Sequence, residues 1–256
     1  MRIGISALAL LAATLVAASA DPKIRGPVPE VPIDSPSDDE PTQDVELITE
    51  QELADLRATY EPCGPTRAVG LPWRGSLQCA ALLPHHDRLW VRTWFLFGTQ
   101  ETMDALHHVA VRLDERNPGG QRLEVFDISR RVGGPSPYHI SHQNGRDVDL
   151  GYLYRDGYQP EPYGDVPPQM LDAARTWQLI AALIETGDVR RILIDYAHQE
   201  VLRSAATRAG VNKLDRYFQY PRGKYQRLGL IRHYPNHLSH MHVRFRCPKG
   251  HRTCRG

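Results

Sequence analysis

The spacing of apolar residues along the chain predicts four helices. Thr49 and Glu52 have the spacing of a capping box ahead of apolar Leu53, so a helix is expected to begin there. Apolar residues that recur every three or four positions predict three more helices. We place these after Thr99, from Pro167 onwards, and over residues 200–209. The Pro- and Gly-rich residues 62–75 and the polar residues 154–166 are expected to be loops.

Short runs rich in β-branched and aromatic residues predict strands between these helices. The runs are residues 89–97, 123–128, 146–153, 191–194 and 241–247. In the third run, period-two alternation places Val148 and Leu150 on one face and Asp149 on the other. A carboxylate in the middle of an apolar strand is costly unless a cation satisfies it. Asp149 is therefore the first candidate for a functional site.

The first 45 residues differ in composition from the rest of the chain. Residues 1–20 have a positive start, an apolar run and a final Ala-Ser-Ala, which is typical of a secretory signal peptide cleaved after Ala20. Residues 21–45 are expected to be a disordered acidic linker, because residues 21–50 contain nine acidic residues, two basic residues and six prolines. Residues 46–256 remain as one domain. We therefore expect a periplasmic or secreted protein.

Charge and hydropathy narrow the expected partners. No second apolar stretch of about 18 residues follows the first, so stable membrane insertion is not expected. Residues 51–256 carry a formal net charge of +7 within a chain whose total is +1. This charge tolerates an anionic partner such as cell-wall polymer without requiring one, and no nucleic acid partner is expected. The sequence makes no prediction about oligomeric state.

Four cysteines in an exported chain predict disulfide bonds. Three pairings are possible, and the pairs close in sequence, Cys63–Cys79 and Cys247–Cys254, are expected. Alternatively, Cys247, His251 and Cys254 could contribute to a structural zinc site, although a fourth nearby ligand is missing.

Two short segments a hundred residues apart carry most of the candidate chemistry. On the last predicted strand, His240 and His242 are two residues apart and therefore share a face. One of them can bind a metal while its neighbour lies beside the metal-bound water. Three protein ligands with one open position are the arrangement of a catalytic zinc. The two segments are Ser141-His142-Gln143-Asn144-Gly145-Arg146-Asp147-Val148-Asp149 and His237-Leu238-Ser239-His240-Met241-His242.

Simpler explanations exist for several of these residues. Asp149 could be neutralised by an arginine such as Arg146 instead of a metal. Asp147 is expected to be a solvated acid at the end of the loop and not a ligand. His139, three residues before His142, can approach the same metal and is the weaker candidate ligand.

The two segments and their flanks resemble a known family. Gly133-Gly134-Pro135 precedes the first, and Val243-Arg244-Phe245-Arg246-Cys247-Pro248 follows the second. Together they are similar to the penicillin-insensitive murein endopeptidases, within the group of lysostaphin-type, D-Ala-D-Ala and hedgehog-like zinc peptidases. The resemblance covers about residues 70–254. It implies an α+β fold with a small central antiparallel sheet flanked by helices.

The resemblance also implies a role for each candidate residue. His240 would be the catalytic general base beside the zinc-bound water, and His237 a second active-site histidine. His139 matches a histidine that can join the metal shell. The implied substrate is the peptide cross-link of peptidoglycan, cut between D-alanine and the diamino acid of the neighbouring stem. The implied zinc ligands are His142, Asp149 and His242.

The expected activity is therefore that of a zinc endopeptidase, with two alternatives. One is a D,D-carboxypeptidase or dipeptidase acting on cell-wall stem peptides. The other is a zinc-bearing cell-wall binding module without turnover. Retention of His240 and His237 favours an enzyme, because holding a metal requires neither. No Ser-x-x-Lys motif occurs, so a β-lactam that acylates serine would find no such nucleophile.

Overall fold

A computed structural model describes residues 46–256 of the chain. The signal peptide and acidic linker expected over residues 1–45 lie outside the described residues. Within the described part there are four α-helices: α1 (Glu50–Thr59), α2 (Gln100–Arg116), α3 (Ala173–Glu185) and α4 (Tyr196–Arg208). The strands are β1 (Arg67–Leu71), β2 (Arg74–Gln78), β3 (Ala81–Leu82), β4 (Leu89–Val91), β5 (Phe97–Gly98), β6 (Leu123–Val125), β7 (Asp147–Gly151), β8 (Val189–Ile194), β9 (Ile231–His233) and β10 (His240–Phe245).

Six strands form the central sheet, in the order β4-β6-β7-β10-β8-β9. The four inner strands pair antiparallel, whereas each outermost strand runs parallel to its neighbour. The expected α+β class with a central antiparallel sheet is thus confirmed, and the parallel outer pairs are an addition to it.

One face of this sheet packs against the helices. Val148 and Leu150 on β7 and Val243 on β10 are fully buried in the same apolar cluster as the inner faces of α2, α3 and α4. Because side chains alternate along a strand, the residues between them face the other side of the sheet. That second face carries Asp149 and His242, so the helices form the support and the opposite face carries the polar site.

A side-chain cap marks the start of each of the four helices. Thr49 and Glu52 form the expected capping box at α1, and Thr99 caps α2 by accepting from the backbone of Thr102. α4 begins four residues earlier than expected, because Asp195 accepts from the backbone N–H of Ala197. α3 begins at Ala173 and not at Pro167.

The reason for the late start of α3 is a turn that precedes it. The backbone N–H groups of Met170 and Leu171 both donate to the carbonyl of Pro167, which closes a separate turn. The helix proper starts where Asp172 accepts from the backbone N–H of Arg175.

Two expectations, one for a strand and one for a loop, were wrong in detail. The single strand expected over residues 89–97 is two strands, β4 and β5, in different sheets. Between them, the buried Thr93 hydroxyl donates to the Phe126 carbonyl and accepts from the Phe95 amide, which replaces regular pairing. The loop expected over residues 62–75 contains the β1–β2 hairpin, where Gly70 adopts φ +71° against the Arg74 carbonyl.

Both expected disulfides are present. Cys63 bonds to Cys79 and Cys247 bonds to Cys254. The alternative zinc site at Cys247 and Cys254 is therefore wrong, because both sulfurs are in a covalent bond. His251, its third proposed member, instead accepts from the backbone N–H of Ala68 through Nδ1.

None of the helices within residues 46–256 is long and apolar enough to cross a membrane.

Candidate active site

Strand register brings the two sequence motifs together. β7 and β10 pair antiparallel with Asp149 directly opposite His242. Both residues are almost fully buried, at 0% and 4% exposure. The Asp149 carboxylate contacts His242 through Oδ1, which lies 3.1 Å from Nδ1 of the imidazole. Asp149 and His242, two of the ligands that the resemblance implies, thus form a direct cross-strand pair.

The loop before β7 adds His142 to this pair. Nε2 of His142 lies 3.2 Å from Asp149 Oδ2 and 3.2 Å from His242 Nδ1. On the other side of the ring, His142 Nδ1 donates to the Ile128 carbonyl over 3.0 Å. Because a carbonyl can only accept, Nδ1 holds the ring proton and the lone pair of Nε2 faces the carboxylate.

Backbone conformation in this loop depends on one glycine. His142 itself has a left-handed backbone with φ +64°, and Gly145 follows with φ +73°. A side chain at Gly145 would come within 2.9 Å of Gly98 Cα and Leu77 Cδ2. The turn therefore requires glycine at this position, because the loop packs directly against neighbouring backbone.

These residues fit a metal ion by distance and by chemistry. Ligand atoms of His139, His142 and Asp149 all lie within 4.8 Å of one another. The His142, His242 and Asp149 atoms that meet are 3.1–3.2 Å apart. Four ligands about 2.1 Å from a tetrahedral zinc are roughly 3.4 Å apart. Asp149 is 0% exposed and its two carboxylate oxygens lie among imidazole nitrogens, so the buried carboxylate is suited to a cation.

His139 lies at the edge of this group. Its Nε2 is 2.6 Å from Asp127 Oδ2 and 3.8 Å from Asp149 Oδ2. Asp127 is 1% exposed, and the sequence reasoning did not identify it. The Asp127 carboxylate therefore holds His139 close to His142, Asp149 and His242. The His139 ring nitrogen is nevertheless nearer to Asp127 than to Asp149.

Neutral imidazoles complete the site. Burial lowers the pKa of His240 to about 4, although the Asp149 charge opposes this. Its Nε2 lies 3.8 Å from Asp149 Oδ1, and its Nδ1 is 2.9 Å from the Ser239 hydroxyl. Burial, then the charges of His240 and His242, hold the pKa of His237 well below its usual range. Both rings are thus uncharged at neutral pH, with centroids 4.9 Å apart.

The segment that carries His237 is fixed from several directions. His237 Nδ1 donates to the Pro235 carbonyl, and the His237 carbonyl accepts from the Tyr152 hydroxyl over 2.9 Å. The next carbonyl, of Leu238, accepts from the Val166 amide. The imidazole therefore has a defined position next to His240.

An aromatic pair borders His240. The rings of Phe126 and Tyr163 stack with centroids 4.0 Å apart, and each meets the His240 ring edge to face. Tyr163 belongs to the 154–166 loop and has a left-handed backbone with φ +58°. This is an uncommon conformation for a bulky residue, and such strain is concentrated at functional sites.

The expectation for Asp147 was wrong. Its side chain is fully buried and receives two hydrogen bonds, of 2.6 and 2.8 Å, from Arg244. Burial opposes ionisation, but the charges of Arg244 and His242 hold the pKa of Asp147 well below its usual range. The acid is not solvated because β10 places Arg244 directly opposite it.

Asp147 also acts on His242. Its Oδ1 lies 3.6 Å from Nε2 of His242. Burial disfavours a charged imidazole, but the Asp147 and Asp149 carboxylates outweigh it and raise the pKa of His242 to about 9. The ring is therefore held between two carboxylates, a pairing that orients metal-binding histidines.

Arg146 does not neutralise Asp149. Its guanidinium is buried and donates to the carbonyls of Phe245 and Arg255. Burial lowers the pKa of Arg146 to about 10. The simpler explanation of Asp149 as an arginine partner is therefore wrong, and its neighbours are the imidazoles.

Comparison with known proteins places the chain in a family. The family profile described as penicillin-insensitive murein endopeptidase matches residues 68–256, which is most of the chain and includes every candidate site residue. The chain belongs to this family. The resemblance seen in the two motifs is thereby confirmed.

Individual relatives are distant and longer. Each of three is named a penicillin-insensitive murein endopeptidase. The protein of Yersinia pestis bv. Antiqua is 26% identical over 175 residues, covering 62% of this chain and 56% of its own length. That of Pectobacterium atrosepticum is 30% identical over 172 residues, covering 62% and 55%. That of Klebsiella pneumoniae is 28% identical over 155 residues, covering 54% and 50%. The chain spans about half the length of these relatives.

Proposed function

We propose that this chain is an exported zinc endopeptidase that hydrolyses peptide cross-links of peptidoglycan, between D-alanine and the diamino acid of the neighbouring stem. One observation carries the proposal. The buried Asp149 carboxylate faces the ring nitrogens of His142 and His242 at 3.1–3.2 Å. The names of the relatives indicate the substrate.

His142, Asp149 and His242 would hold the zinc, and His139 lies close enough to join them. When bound, zinc makes water a nucleophile near neutral pH and polarises the scissile carbonyl. The second ring nitrogen of each imidazole contacts the protein: that of His142 contacts the Ile128 carbonyl, and that of His242 lies near Asp147. This support orients the ligands before a metal binds.

His240 is the residue that moves the proton in this proposal. Its pKa of about 4 leaves it neutral at physiological pH, so Nε2 can accept a proton from water and return it to the leaving amine. The Ser239 hydroxyl at Nδ1 holds the ring in place. His237, neutral and adjacent, can share or stabilise the transient charge.

Export is part of the proposal. The N-terminal composition is typical of a signal peptide, and both disulfides formed by residues 46–256 suit an oxidising compartment. The substrate, peptidoglycan, lies outside the cytoplasm. Each of these observations points to the periplasm or the cell exterior.

The decisive test is digestion of purified cross-linked muropeptide dimers, followed by mass spectrometry. Zinc-loaded enzyme should convert dimers to monomers, and a chelator should stop the reaction until zinc is restored. Asp149→Asn should lose both bound zinc and cleavage, whereas the exposed control Asp188→Asn should keep both. Release of free D-alanine alone would favour a carboxypeptidase. Zinc binding without any hydrolysis would favour a binding module.

A further inference from the structure

A group of arginines lies beside the candidate zinc site on the same face of the sheet. Arg244 is two residues after His242 on β10 and therefore shares its face. Arg191 on β8 pairs directly with Arg244, and Arg232 on β9 pairs with Leu193, two residues along β8 from Arg191. Strand alternation thus places Arg191, Arg232 and Arg244 together in a row next to the histidines.

An irregularity in the sheet adds a fourth arginine. Arg244 pairs with Arg191, but the next residue on β10, Phe245, pairs with Val189. Arg190 is therefore an extra residue in β8, which is a β-bulge. Bulges redirect a side chain and are enriched next to active sites. The charges of Arg244, Arg246 and Arg232 all act on Arg190, so its guanidinium lies close to the same group.

Arg190 and Arg191 lie close to other positive charges. Asp147 is already engaged by Arg244 through two hydrogen bonds. Burial, then the charges of Arg244 and Arg232, lower the pKa of Arg191 to about 9. Burial and neighbouring arginines lower the pKa of Arg190 as well. Holding half-buried guanidinium groups this close together disfavours the folded state unless an anion joins them.

Arg190 and Arg191 also have side chains available for a ligand. Within the described chain, Arg146 and Arg244 donate to protein acceptors, whereas no hydrogen bond or ion pair is found for the guanidinium of Arg190 or Arg191. Both residues are half-buried, so they remain in contact with solvent. They can therefore receive a ligand without breaking an existing interaction.

The distance to the zinc site suits an extended peptide. Arg191 lies one strand across and two residues along from His242, whose partner on β7 is Asp149. With strands about 4.8 Å apart and a rise of about 3.3 Å per residue, this separation is roughly 8 Å. Two to three residues of extended peptide span that distance.

We propose that Arg190 and Arg191, supported by Arg232, bind a free carboxylate of the substrate's stem peptide and so position the scissile bond. The inference rests on the proposed function and names the part of the substrate recognised beyond the cleaved bond. A stem peptide carries carboxylates on its acidic and diamino-acid residues. Guanidinium groups bind carboxylates through paired hydrogen bonds, which gives both affinity and orientation.

Binding of an uncross-linked stem tetrapeptide, measured by calorimetry, tests this subsite without requiring turnover. The wild-type protein with zinc bound should bind the tetrapeptide at least about tenfold more tightly than Arg191→Gln does, as expected for loss of a charge-assisted hydrogen bond. A tetrapeptide whose carboxylates have been converted to amides should bind wild type and Arg191→Gln equally weakly. With cross-linked dimers as substrate, Arg191→Gln should have a higher KM than wild type, whereas its kcat should change little.

Matched variants keep the result interpretable. Arg208→Gln, which removes an exposed arginine on α4, should leave binding unchanged. If Arg191→Gln does not fold, the more accessible Arg190→Gln replaces it, with thermal unfolding as the check on folding. Equal tetrapeptide affinity in wild type and the folded variant would overturn the subsite, even if cleavage is observed. Conversely, charge-dependent binding without cleavage would retain the subsite and reject the endopeptidase.

Discussion

Asp147 and Asp149 lie two residues apart on one face of β7, yet they have different partners. Asp147 is neutralised by Arg244, while Asp149 is surrounded by the ring nitrogens of histidines. The difference follows from what β10 places opposite each acid: Arg244 opposite Asp147, and His242 opposite Asp149. One acid is therefore neutralised within the fold, and the other is the proposed metal ligand.

Replacing Asp147 should destabilise the protein. Asp147→Asn leaves the buried Arg244 guanidinium without its counter-charge, and breaking a buried ion pair typically costs about 3–5 kcal/mol. Urea unfolding in the presence of a chelator measures this without a contribution from bound metal. The exposed control Asp165→Asn should change the free energy of unfolding by less than about 0.5 kcal/mol. A similarly small change in the free energy of unfolding for Asp147→Asn would contradict a stabilising role for the Asp147–Arg244 ion pair.

Substitutions of His142 and His240 should affect different steps, metal binding for His142 and proton transfer for His240. His240→Ala removes the proposed base but none of the three closest ligand atoms, so zinc content should be kept while kcat falls by about 10²–10⁴-fold. His142→Ala should lose zinc and activity together. Elemental analysis beside kinetics distinguishes the two, with the exposed His85→Ala as control. Zinc loss from His240→Ala would instead make residue 240 a ligand.

At the scale of elements, the site depends on the register between β7 and β10. A shift of one residue would exchange the faces of a strand and remove Asp149 from His242. Fully buried apolar residues on the other face, such as Val148 and Val243, oppose such a shift. Helices α2, α3 and α4 cover this apolar face. They therefore maintain the geometry of a site that lies on the opposite face of the sheet.

The contact between α2 and α3 should depend on pH. Glu185 at the end of α3 accepts hydrogen bonds from Arg112 and Arg116 of α2. Burial would raise the pKa of Glu185, but these two arginines lower it. Since the folded pKa is below the unfolded value, the contribution is present above about pH 4.3 and is lost as pH falls through the folded pKa.

Glu185→Gln tests this contact. The variant should be less stable than wild type at pH 7 by up to about 1 kcal/mol, the usual range for a solvent-accessible ion pair. The difference should shrink towards zero near pH 3, when the wild-type carboxyl is protonated. Thermal unfolding at both pH values measures it, and a difference that grows on acidification would be contrary to this explanation.

Local sequence determined the elements that carry the site, which is why they could be predicted. The capping residues Thr49 and Thr99 and the alternation around Asp149 act within a few residues of the chain. The His-x-His spacing on β10 likewise fixes a shared face without knowledge of the fold.

Long-range contacts explain what could not be predicted. The buried state of Asp147 depends on Arg244, which is 97 residues away, and its position at the end of a loop made solvent exposure the simpler expectation. Asp127 is at the site only because its segment runs beside β7, where its carbonyl accepts from the Asp149 amide. The parallel outer strands of the sheet likewise require pairings that no local pattern reports.

At the scale of the whole molecule, charge is distributed unevenly along the chain. Residues 21–45 contain seven acidic and two basic residues, a net charge of −5, whereas residues 51–256 carry +7. The proposed metal ligands and proton-transfer residues lie between residues 139 and 242. Removing residues 21–45 should therefore leave kcat and KM for a small muropeptide dimer within about twofold of the full-length values.

The same deletion should alter binding to a large anionic substrate. A chain that begins at residue 21 has a formal net charge of zero, and removing residues 21–45 raises it to +5. Attraction to an anionic cell wall should therefore increase at low salt, and the increase should disappear above about 0.5 M salt, where screening is strong. Sedimentation of the protein with purified cell walls measures this. A control in which five of the seven acidic residues of 21–45 become their amides has the same net charge of +5, and it should reproduce the deletion because the effect depends on charge and not on length. If the deletion lowers wall binding, residues 21–45 themselves contact the wall.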